Sequence, residues 1–349
     1  MDITSENAVI SYTHSAEASI AYIPTPLTGY PALMGFHRHL LADTVRTEAF
    51  IQAIERVVKP GQVVVDLGSG SGILALACAR AGAARVYAIE SDKIITLAQQ
   101  AARANGLAER IVFIHQDSRQ VNLPEKVDAI VSECLGLMGL GGTMVPDVVD
   151  LARRYLKPDG RLIPQAITLF IAPIESPLHY EYVHVWEQGR FYGFDLAAFQ
   201  KAASNNLYIA RFKPDSFLSQ PQQVAMVQLL ADNVTEVSAR LNFAPTHPGR
   251  LHGYCGWFEA NLGDGITLSA SPLSPPTIWR QLYLPLEKEL PVEANSLIQL
   301  NFGLNLGLSL ASEPGFFRWC TDVTYPGRPA ETVSLKQITL KSIPRKLEV

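Results

Sequence analysis

Hydrophobic residues follow different spacings in the two parts of the chain. Up to residue 163, short apolar runs alternate with longer segments in which apolar residues recur every three or four positions. From residue 164 onward, short runs rich in β-branched and aromatic residues follow one another, separated by Pro, Gly and Asn. The spacing predicts an irregular lid segment at 1–35, an α/β domain at 36–163 and an all-β domain at 164–349.

The first domain is predicted to contain a doubly wound, Rossmann-like parallel sheet. Its apolar runs are continuous rather than alternating, which is typical of strands buried on both faces. Strands and helices in alternation give parallel sheets with right-handed crossovers. The last helix is predicted to end in a turn at 157–160, because Lys-Pro-Asp-Gly is typical of turns. Predicted strands cover 62–68, 85–90, 110–117 and 127–133, and predicted helices cover 36–58, 72–83, 94–106 and 143–156.

The second domain is predicted to be an antiparallel β-barrel or sandwich. Leu282, Leu284 and Leu286 show the period of two that belongs to a half-buried strand. An aromatic-rich segment around 178–206 interrupts the strands and is a candidate helical insertion. The predicted strands are 167–175, 224–232, 236–243, 251–262, 266–271, 281–287, 296–306, 316–325 and 333–340.

Composition narrows the class of protein. A charged fraction of 18% and a net charge of −4 are typical of a soluble globular enzyme and disfavour a nucleic-acid partner. The sequence contains no apolar run of membrane-spanning length and no signal-peptide core, so a cytoplasmic protein without a membrane partner is expected. Its four cysteines form no CxxC pair, so neither a disulfide framework nor a metal site is expected.

A glycine-rich turn after the first predicted strand is a candidate cofactor site. Gly68, Gly70 and Gly72 permit positive φ angles and a close approach of the backbone to a ligand. Glu90 ends the next strand, where a carboxylate can accept hydrogen bonds from ribose hydroxyls. A dinucleotide site would normally continue to a third glycine in GxGxxG spacing, but Ile73 follows Gly72. NAD is therefore disfavoured, and a turn that binds no ligand is the other alternative.

The motif D-x-G-x-G-x-G, which begins at Asp66, resembles the first motif of class I S-adenosylmethionine (SAM) methyltransferases. The resemblance implies that this loop packs against the methionine and ribose parts of SAM. It also implies that Asp117, or the amide of Ser118, bonds the adenine amino group. The expected cofactor is therefore SAM, and the expected product is S-adenosylhomocysteine (SAH).

A broader resemblance points to the protein arginine methyltransferase family. The stretches that are similar to this family are 37–47, 132–136, 143–175 and 192–196. The resemblance implies that His37 and Arg46 hold the SAM carboxylate, and Arg46 with a carboxylate is a sensible charge-assisted pair. Exposed polar positions on the helix are the alternative for both residues. Residues 185–196 are similar to the dimerisation arm of the family, which implies a homodimer.

The predicted acceptor side departs from the family pattern at two positions. The family grips a guanidinium with two glutamates; Glu133 matches the first, and Gly142 stands at the second. The family also has a Thr-His-Trp triplet, and here Thr277 and Trp279 flank Ile278 instead of a histidine. A planar guanidinium suits paired carboxylates, and loss of half of its buried acceptors is costly. The sequence therefore predicts an acceptor other than an ordinary protein arginine.

Glu133 can orient an amine or amide N–H group, or act as a base for a hydroxyl. Its alternative role is to cap the turn that follows. Met144 matches a methionine that lines the family pocket, with core packing as the alternative. His179, His184 and His252 are further candidate bases, although satisfied structural roles are more common for histidines.

The leading hypothesis is a SAM-dependent methyltransferase that acts on nitrogen or oxygen of a small-molecule or peptide acceptor. The alternatives are a divergent protein arginine methyltransferase and a catalytically silent SAM-binding scaffold dimer.

Overall fold

The structure is a computed structural model. It describes residues 29–140, 144–188, 190–230, 236–294, 296–305, 316–325 and 328–339. Gly142 and most of the predicted lid segment lie outside these ranges, so the structure does not bear on those two predictions.

Two helices precede the first strand, where the apolar spacing predicted one helix over 36–58. Helix α1 spans Gly29–Ala42, and helix α2 spans Thr44–Val57. Between them, Asp43 leaves the helical conformation, and its carboxylate accepts a hydrogen bond from the backbone N–H of Arg46 at 2.9 Å. This is an N-cap, which begins a new helix. The single-helix prediction was wrong because the apolar spacing continues across the capping residue.

Five parallel strands form the first sheet, in the order β3-β2-β1-β4-β5. The strands are β1 Val63–Leu67, β2 Arg85–Glu90, β3 Ile111–His115, β4 Val127–Ser132 and β5 Leu156–Ile163. The helices that alternate with them are α3 Ile73–Arg80, α4 Ile95–Ala104 and α5 Met144–Tyr155. This order confirms the predicted Rossmann-like sheet.

The predicted turn at 157–160 is instead part of strand β5. This strand lies at the edge of the sheet, and its register against β4 shifts between Val127 and Ala129. Proline and glycine are tolerated at an edge strand with irregular pairing. Residues 157–160 therefore lie within the bounds of the strand but are unpaired, between Leu156, which pairs with Val127, and Arg161, which pairs with Ala129.

The described part of the second domain contains two large antiparallel sheets and one two-stranded hairpin, and antiparallel strands were predicted. One has the order β10-β6-β12-β14-β9, with β13 paired to β12, and the other has the order β11-β15-β16-β17. Strand β9 was not predicted, because three residues are too few to show a period. The strands are β6 Ala166–Ile174, β9 Tyr208–Ala210, β10 Gln222–Gln228, β11 Glu236–Phe243, β12 Gly249–Gly263, β13 Ile266–Ser269, β14 Gln281–Val292, β15 Leu297–Asn305, β16 Phe316–Tyr325 and β17 Arg328–Ile338.

The segment that interrupts these strands, residues 177–204, is named the arm below. It consists of helix α6 Pro177–His184, a 3-10 turn Val185–Gln188, a hairpin of β7 Arg190–Phe191 with β8 Phe194–Asp195, and helix α7 Ala198–Ser204. Trp186 stacks against Phe199 with ring centroids 5.1 Å apart, and it also contacts Phe191. These ring contacts connect the 3-10 turn to the hairpin and to α7.

The two domains meet around α2, which packs against β12 and β13 as well as α3. Helix α2 therefore contacts both domains, and its residue Arg46 lines the cavity described below together with residues of α1. Among the described helices, none has both the length and the apolar character that crossing a membrane requires.

Candidate active site

A cavity of about 830 Å³ lies at the carboxyl ends of the parallel strands. This is where open α/β sheets bind ligands. Its wall includes α1, the glycine-rich turn after β1, the loop after β4 and the loop before β14. The predicted site residues that line it are His37, Arg46, Gly68, Gly70, Glu90, Asp117, Ser118, Glu133, Met144, Ile278 and Trp279.

The glycine-rich turn forms one wall of the cavity. Gly68 and Gly70 both have positive φ angles, +73° and +50°. A Cβ atom on Gly70 would lie 2.6 Å from Cε1 of His37, and one on Gly68 would collide with Sγ of Cys134. Glu90 supports the turn by accepting a hydrogen bond from the Gly70 N–H at 2.9 Å. Gly68 and Gly70 therefore leave room for Cys134 and His37 to pack against the turn, while Ser69 and Ser71 of the same turn also line the cavity.

Two residues of the same motif, Asp66 and Gly72, do not line the cavity. A Cβ atom on Gly72 would lie 2.9 Å from Cβ of Ala98, so this glycine allows the turn to pack closely on α4. Asp66 is 1% exposed, and within the described ranges neither of its carboxylate oxygens has a well-formed hydrogen bond. Burial raises the pKa of Asp66 to about 7, and the backbone of Ala75 offsets only part of that effect.

His37 lies against Gly70 and is neither fully exposed nor fully buried. Burial lowers the pKa of His37, while the negative charges of Glu90 and Asp92 act in the opposite direction. The ring is thus a neutral wall of the cavity at neutral pH. The alternative role for His37, an exposed polar position on the helix, does not agree with its partial burial.

Arg46 and Glu133 form a buried ion pair, with 6% and 7% of their side chains exposed. Arg46 also donates to the Leu40 carbonyl at 2.9 Å, at the end of α1, and its buried Nε has no partner among the described residues. Burial raises the pKa of Glu133, although the charge of Arg46 favours the carboxylate. Separate roles were predicted for these residues, on the donor and acceptor sides, whereas the structure pairs them.

Asp43 is a site residue that sequence reasoning missed. Its Oδ2 accepts a hydrogen bond from the Ile278 N–H at 2.7 Å, while its Oδ1 caps α2. One carboxylate therefore connects the helix that carries Arg46 with the loop that carries Ile278. The available sequence signal was an Asp that precedes a helix start, which is a preferred N-cap residue.

Trp279 joins the loop before β14 to the loop after β4. Its indole N–H donates to the Leu135 carbonyl at 2.7 Å, and its ring meets Phe258 edge to face at 5.2 Å. Thr277 is buried beside it, and its hydroxyl has no hydrogen-bond partner within the described part of the chain. These contacts fix the position of Ile278 at the cavity wall.

The three histidines proposed as candidate bases lie elsewhere. His179 contacts Ser176 Oγ at 2.7 Å, and His252 accepts a hydrogen bond from the Ser176 N–H at 2.8 Å. His184 lies between two backbone carbonyls of the arm and of β14. None of the three lines the cavity, so their interpretation as bases was wrong. Among the described residues, no group of three metal-ligating side chains is placed to hold a metal ion.

Comparisons with known proteins agree with this geometry. Residues 44–167 match the family described as ribosomal protein L11 methyltransferase (PrmA), and residues 165–306 match the arginine methyltransferase oligomerization subdomain. The parallel sheet, the glycine-rich turn and these matches define a SAM-dependent methyltransferase.

Relatives identify the family more closely. The chain is 32% identical over 276 residues to protein arginine N-methyltransferase 6 of Xenopus laevis, covering 75% of this chain and 81% of the relative. It is 30% identical over 315 residues to a probable protein arginine N-methyltransferase 6 of Arabidopsis thaliana, covering 77% and 72%. The chain therefore belongs to the protein arginine methyltransferase family, whose methyl donor is SAM.

Two further similarities bear on acceptor and fold. The chain is 32% identical over 275 residues to the arginine N(omega)-methyltransferase of Streptomyces achromogenes subsp. streptozoticus, covering 77% of this chain and 75% of the relative. Its fold is similar to a Trypanosoma brucei PRMT1 enzyme-prozyme heterotetrameric complex with AdoHcy, with a TM-score of 0.78, 21% identity, and coverage of 88% of this chain and 98% of that one. At that identity the likeness concerns the fold alone.

Proposed function

We propose that the chain transfers a methyl group from SAM to a nitrogen or oxygen of a small-molecule or peptide acceptor, rather than to an ordinary protein arginine. The observation that carries this proposal is the composition of the cavity near the β domain. There, the described wall residues include the single acid Glu133, whose charge is already matched by Arg46, and the apolar side chains Leu135, Ile209 and Ile278. A guanidinium with five donors would find few acceptors there.

The donor half of the cavity has features that fit SAM. Side chains are absent from the wall at Gly68 and Gly70, where a Cβ atom would collide with neighbours. The N–H group at the buried Nε of Arg46 has no hydrogen-bond partner among the described residues, and the carboxylate of SAM could accept a hydrogen bond from it. In this proposal Glu90 bonds the ribose, and Asp117 bonds the adenine amino group. When bound, SAM supplies an activated methyl group.

Glu133 has two tasks in this proposal. It orients the acceptor and accepts the proton that the acceptor loses. Burial raises the pKa of Glu133, which makes this carboxylate a better base, while the charge of Arg46 acts in the opposite direction. The rest of the rate enhancement comes from alignment of the acceptor, which can contribute roughly 7–11 kcal/mol in favourable cases.

A panel of acceptors with radiolabelled SAM tests the proposal. The panel contains L-arginine, simple amines, amides and alcohols, arginine peptides, and intact histones. Label in a small-molecule or peptide acceptor, and not in histone arginines, is expected. The Glu133→Gln variant is the matched control, since it retains the side-chain shape and should retain SAH binding while losing transfer. Efficient labelling of histone arginines by the wild type would overturn the proposal.

A second candidate function is methylation of protein arginines with a divergent pocket. It is favoured by one observation, namely that Glu133 already accepts a guanidinium, that of Arg46. The Streptomyces relative is named for arginine, which is why L-arginine belongs in the panel. If this candidate holds, the Gly142→Glu, Ile278→His double variant should change arginine methylation little. A large gain would contradict it.

A catalytically silent SAM-binding scaffold dimer is the remaining alternative. In that case Glu133→Ala should leave the biological function intact. Loss of turnover with preserved SAH affinity would exclude it.

We also propose a homodimer that forms through the arm. Tyr192, Leu178, Tyr182 and Phe194 of the arm are 99%, 74%, 73% and 72% exposed, which is unusual for large apolar side chains so close in sequence. The match to an oligomerization subdomain covers the same segment. Sedimentation velocity would test this directly: Tyr182→Glu should give monomers, and monomeric wild-type protein at all concentrations would refute the dimer.

A further inference from the structure

The chain that continues from strand β9 places two cations beside the cavity. Exposure alternates along it: Ile209, Arg211 and Lys213 are exposed, whereas Ala210 and Phe212 are buried. A period of two is typical of an extended chain, so the three exposed residues share one face. Ile209 lines the cavity. Arg211 therefore follows it on the same face, about 7 Å further along the chain.

The buried side of this segment is held in place by the β domain. The Phe212 N–H donates to Oε1 of Gln281 at 3.1 Å, and the side-chain amide of Gln281 donates to the Ala270 carbonyl at 2.8 Å. The Phe212 ring also meets the ring of Tyr283 edge to face, with centroids 5.7 Å apart. Arg211 is therefore carried by a backbone that is anchored on both sides of it.

A second arginine lies at the same end of the strand pair. Gln281 at the start of β14 pairs with Ala210 of β9 in antiparallel register. The next position is Arg280 on one chain and Arg211 on the other, and Arg280 is also exposed. Paired antiparallel backbones are about 5 Å apart, so the long side chains of these two neighbouring positions can reach one ligand.

The backbone brings Arg280 to the edge of the cavity. Its N–H donates to the Thr277 carbonyl at 3.3 Å, which closes a β-turn with Ile278 and Trp279 at the central positions. Both central residues line the cavity. Arg280 itself has a φ of +55°, a left-handed conformation that is uncommon for residues other than glycine. Non-glycine residues in such conformations cluster at ligand-binding sites.

No carboxylate neutralises these cations in the part of the chain that the structure describes. None of the ion pairs there involves Arg211, Lys213 or Arg280, and Asp215, the acid nearest to Lys213 in sequence, takes part in none of them. Residues 265–286 contain no Asp or Glu. Like charges at neighbouring positions of a strand pair are unfavourable. An anionic ligand between the two arginines would remove that repulsion.

We propose that the methyl acceptor carries a carboxylate and that Arg211 and Arg280 bind it at the mouth of the cavity. This inference rests on the proposed function, whose acceptor it narrows to the class of carboxylic acids. A guanidinium matches a carboxylate through two parallel hydrogen bonds. Ile209 and Ile278 contact the apolar part of the acceptor, and its nitrogen or oxygen reaches Glu133. The carboxylate keeps all of its bonds during the transfer.

The same cations act against the acceptors that the proposed function excludes. Two arginines and Lys213 repel a peptide segment that is rich in Lys or Arg, and such repulsion contributes to specificity. An amino acid or another short acid brings a matching anion instead. The two arginines are therefore specificity determinants rather than catalytic residues.

Matched acids and amides test the proposal in the full chain. L-arginine, L-lysine and L-serine are each compared with the corresponding amide, so that the group to be methylated stays the same and only the carboxylate is lost. For a methylated pair, kcat/KM should be roughly tenfold higher for the acid, the size expected for two exposed ion pairs. Because exposed ion pairs are screened, this acid-to-amide ratio should fall as the salt concentration rises. Equal values for acid and amide at low salt would overturn the proposal.

Two double variants assign the effect to the arginines. Arg211→Gln with Arg280→Asn removes both guanidinium groups, and asparagine tolerates a left-handed backbone. This variant should lose both the preference for acids and its dependence on salt. Arg103→Gln with Arg153→Gln is the matched control, since these exposed arginines of α4 and α5 form no ion pair in the described structure. Loss of the preference in the control, or its retention in the first variant, would contradict the assignment.

Calorimetry on the complex with SAH separates this inference from the proposed function. At least one of the three acids should bind the SAH-loaded protein more tightly than its amide does, and the difference should vanish when Arg211 and Arg280 are both replaced. Tighter binding of an acid without any methyl transfer would uphold the carboxylate site and refute the transferase. Methylation of acids and amides with equal efficiency would do the reverse. If none of the acids binds more tightly than its amide, the carboxylate site is refuted.

Discussion

The buried carboxyl of Asp66 leads to a quantitative prediction about stability. This side chain belongs to strand β1, is 1% exposed, and has no well-formed hydrogen bond at either oxygen among the described residues. Asp66→Asn replaces it with a neutral group of the same shape. The substitution removes a titrating group and changes the packing little, so it isolates the cost of ionising an acid at this position.

The sign and size follow from the two protonation equilibria. The pKa of Asp66 rises from 3.8 to about 7 on folding, chiefly because of burial. A group whose folded pKa is raised stabilises the protein fully below its unfolded pKa, and that stabilisation is lost as pH rises through the folded pKa. A difference of about 3 in pKa corresponds to about 4 kcal/mol in total, of which about 2.5 kcal/mol is lost between pH 5 and 8.

Urea unfolding of the wild type and of Asp66→Asn, at about pH 5 and about pH 8, measures this term. The free energy of unfolding of the variant should gain about 2.5 kcal/mol relative to the wild type as pH rises between these values. Asp215→Asn, at an exposed aspartate in the β domain, is the matched control and should show no such change. A wild-type-to-Asp66→Asn difference that is the same at both pH values would refute the reasoning.

Three further predictions concern the cavity. Gly70→Ala places a Cβ atom 2.6 Å from Cε1 of His37, at a φ of +50°. The affinity for SAH, measured by calorimetry, should therefore fall by at least about tenfold. An unchanged affinity would contradict the assignment of Gly70 to the wall of the SAM site. Glu133→Gln should lower kcat by roughly 10²–10⁴ with little change in SAH affinity, whereas normal turnover would exclude Glu133 as the base. Trp279→Phe removes the 2.7 Å hydrogen bond to the Leu135 carbonyl. Steady-state kinetics should then show a higher KM for the acceptor and a nearly constant KM for SAM. A higher KM for SAM with a constant KM for the acceptor would place this contact on the donor side.

The parallel sheet was predictable because its strands are continuous apolar runs between helices of clear period. The break at Asp43 was not, because the apolar residues of α1 and α2 keep the spacing of one helix while a capping side chain divides them. Residues 157–160 lie within the bounds of strand β5, but they have no partner in β4, because Leu156 pairs with Val127 and the next paired residue is Arg161. Their turn composition is therefore compatible with an irregular stretch inside the edge strand.

The candidate site was predictable where one local motif defines it. Gly68, Gly70 and Glu90 line the cavity as the motif indicates. The same motif does not distinguish residues that face the cavity from those that pack behind it, which is why Asp66 and Gly72 were assigned to cofactor binding. The assignment of Asp66 and Gly72 to cofactor binding stays a prediction, although neither residue lines the cavity.

Contacts between distant segments were beyond sequence reasoning. Arg46 and Glu133 are separated by 87 positions and contribute to different elements, so nothing local indicates that they pair. The hydrogen-bond partners of His179, His184 and His252 could not be predicted for the same reason. Each partner depends on which groups the tertiary fold brings near the ring.

Asp43 also has a consequence for protein engineering. Its two oxygens are divided between α2 and the loop before β14, so neither domain is a self-contained module. A chimera that joins this β domain to the SAM domain of another methyltransferase would leave the Ile278 amide without its acceptor unless the donor domain supplies an acid at the same place. Exchange of domains within the family is therefore expected to succeed only when the new SAM domain carries an aspartate at the position of Asp43, before α2.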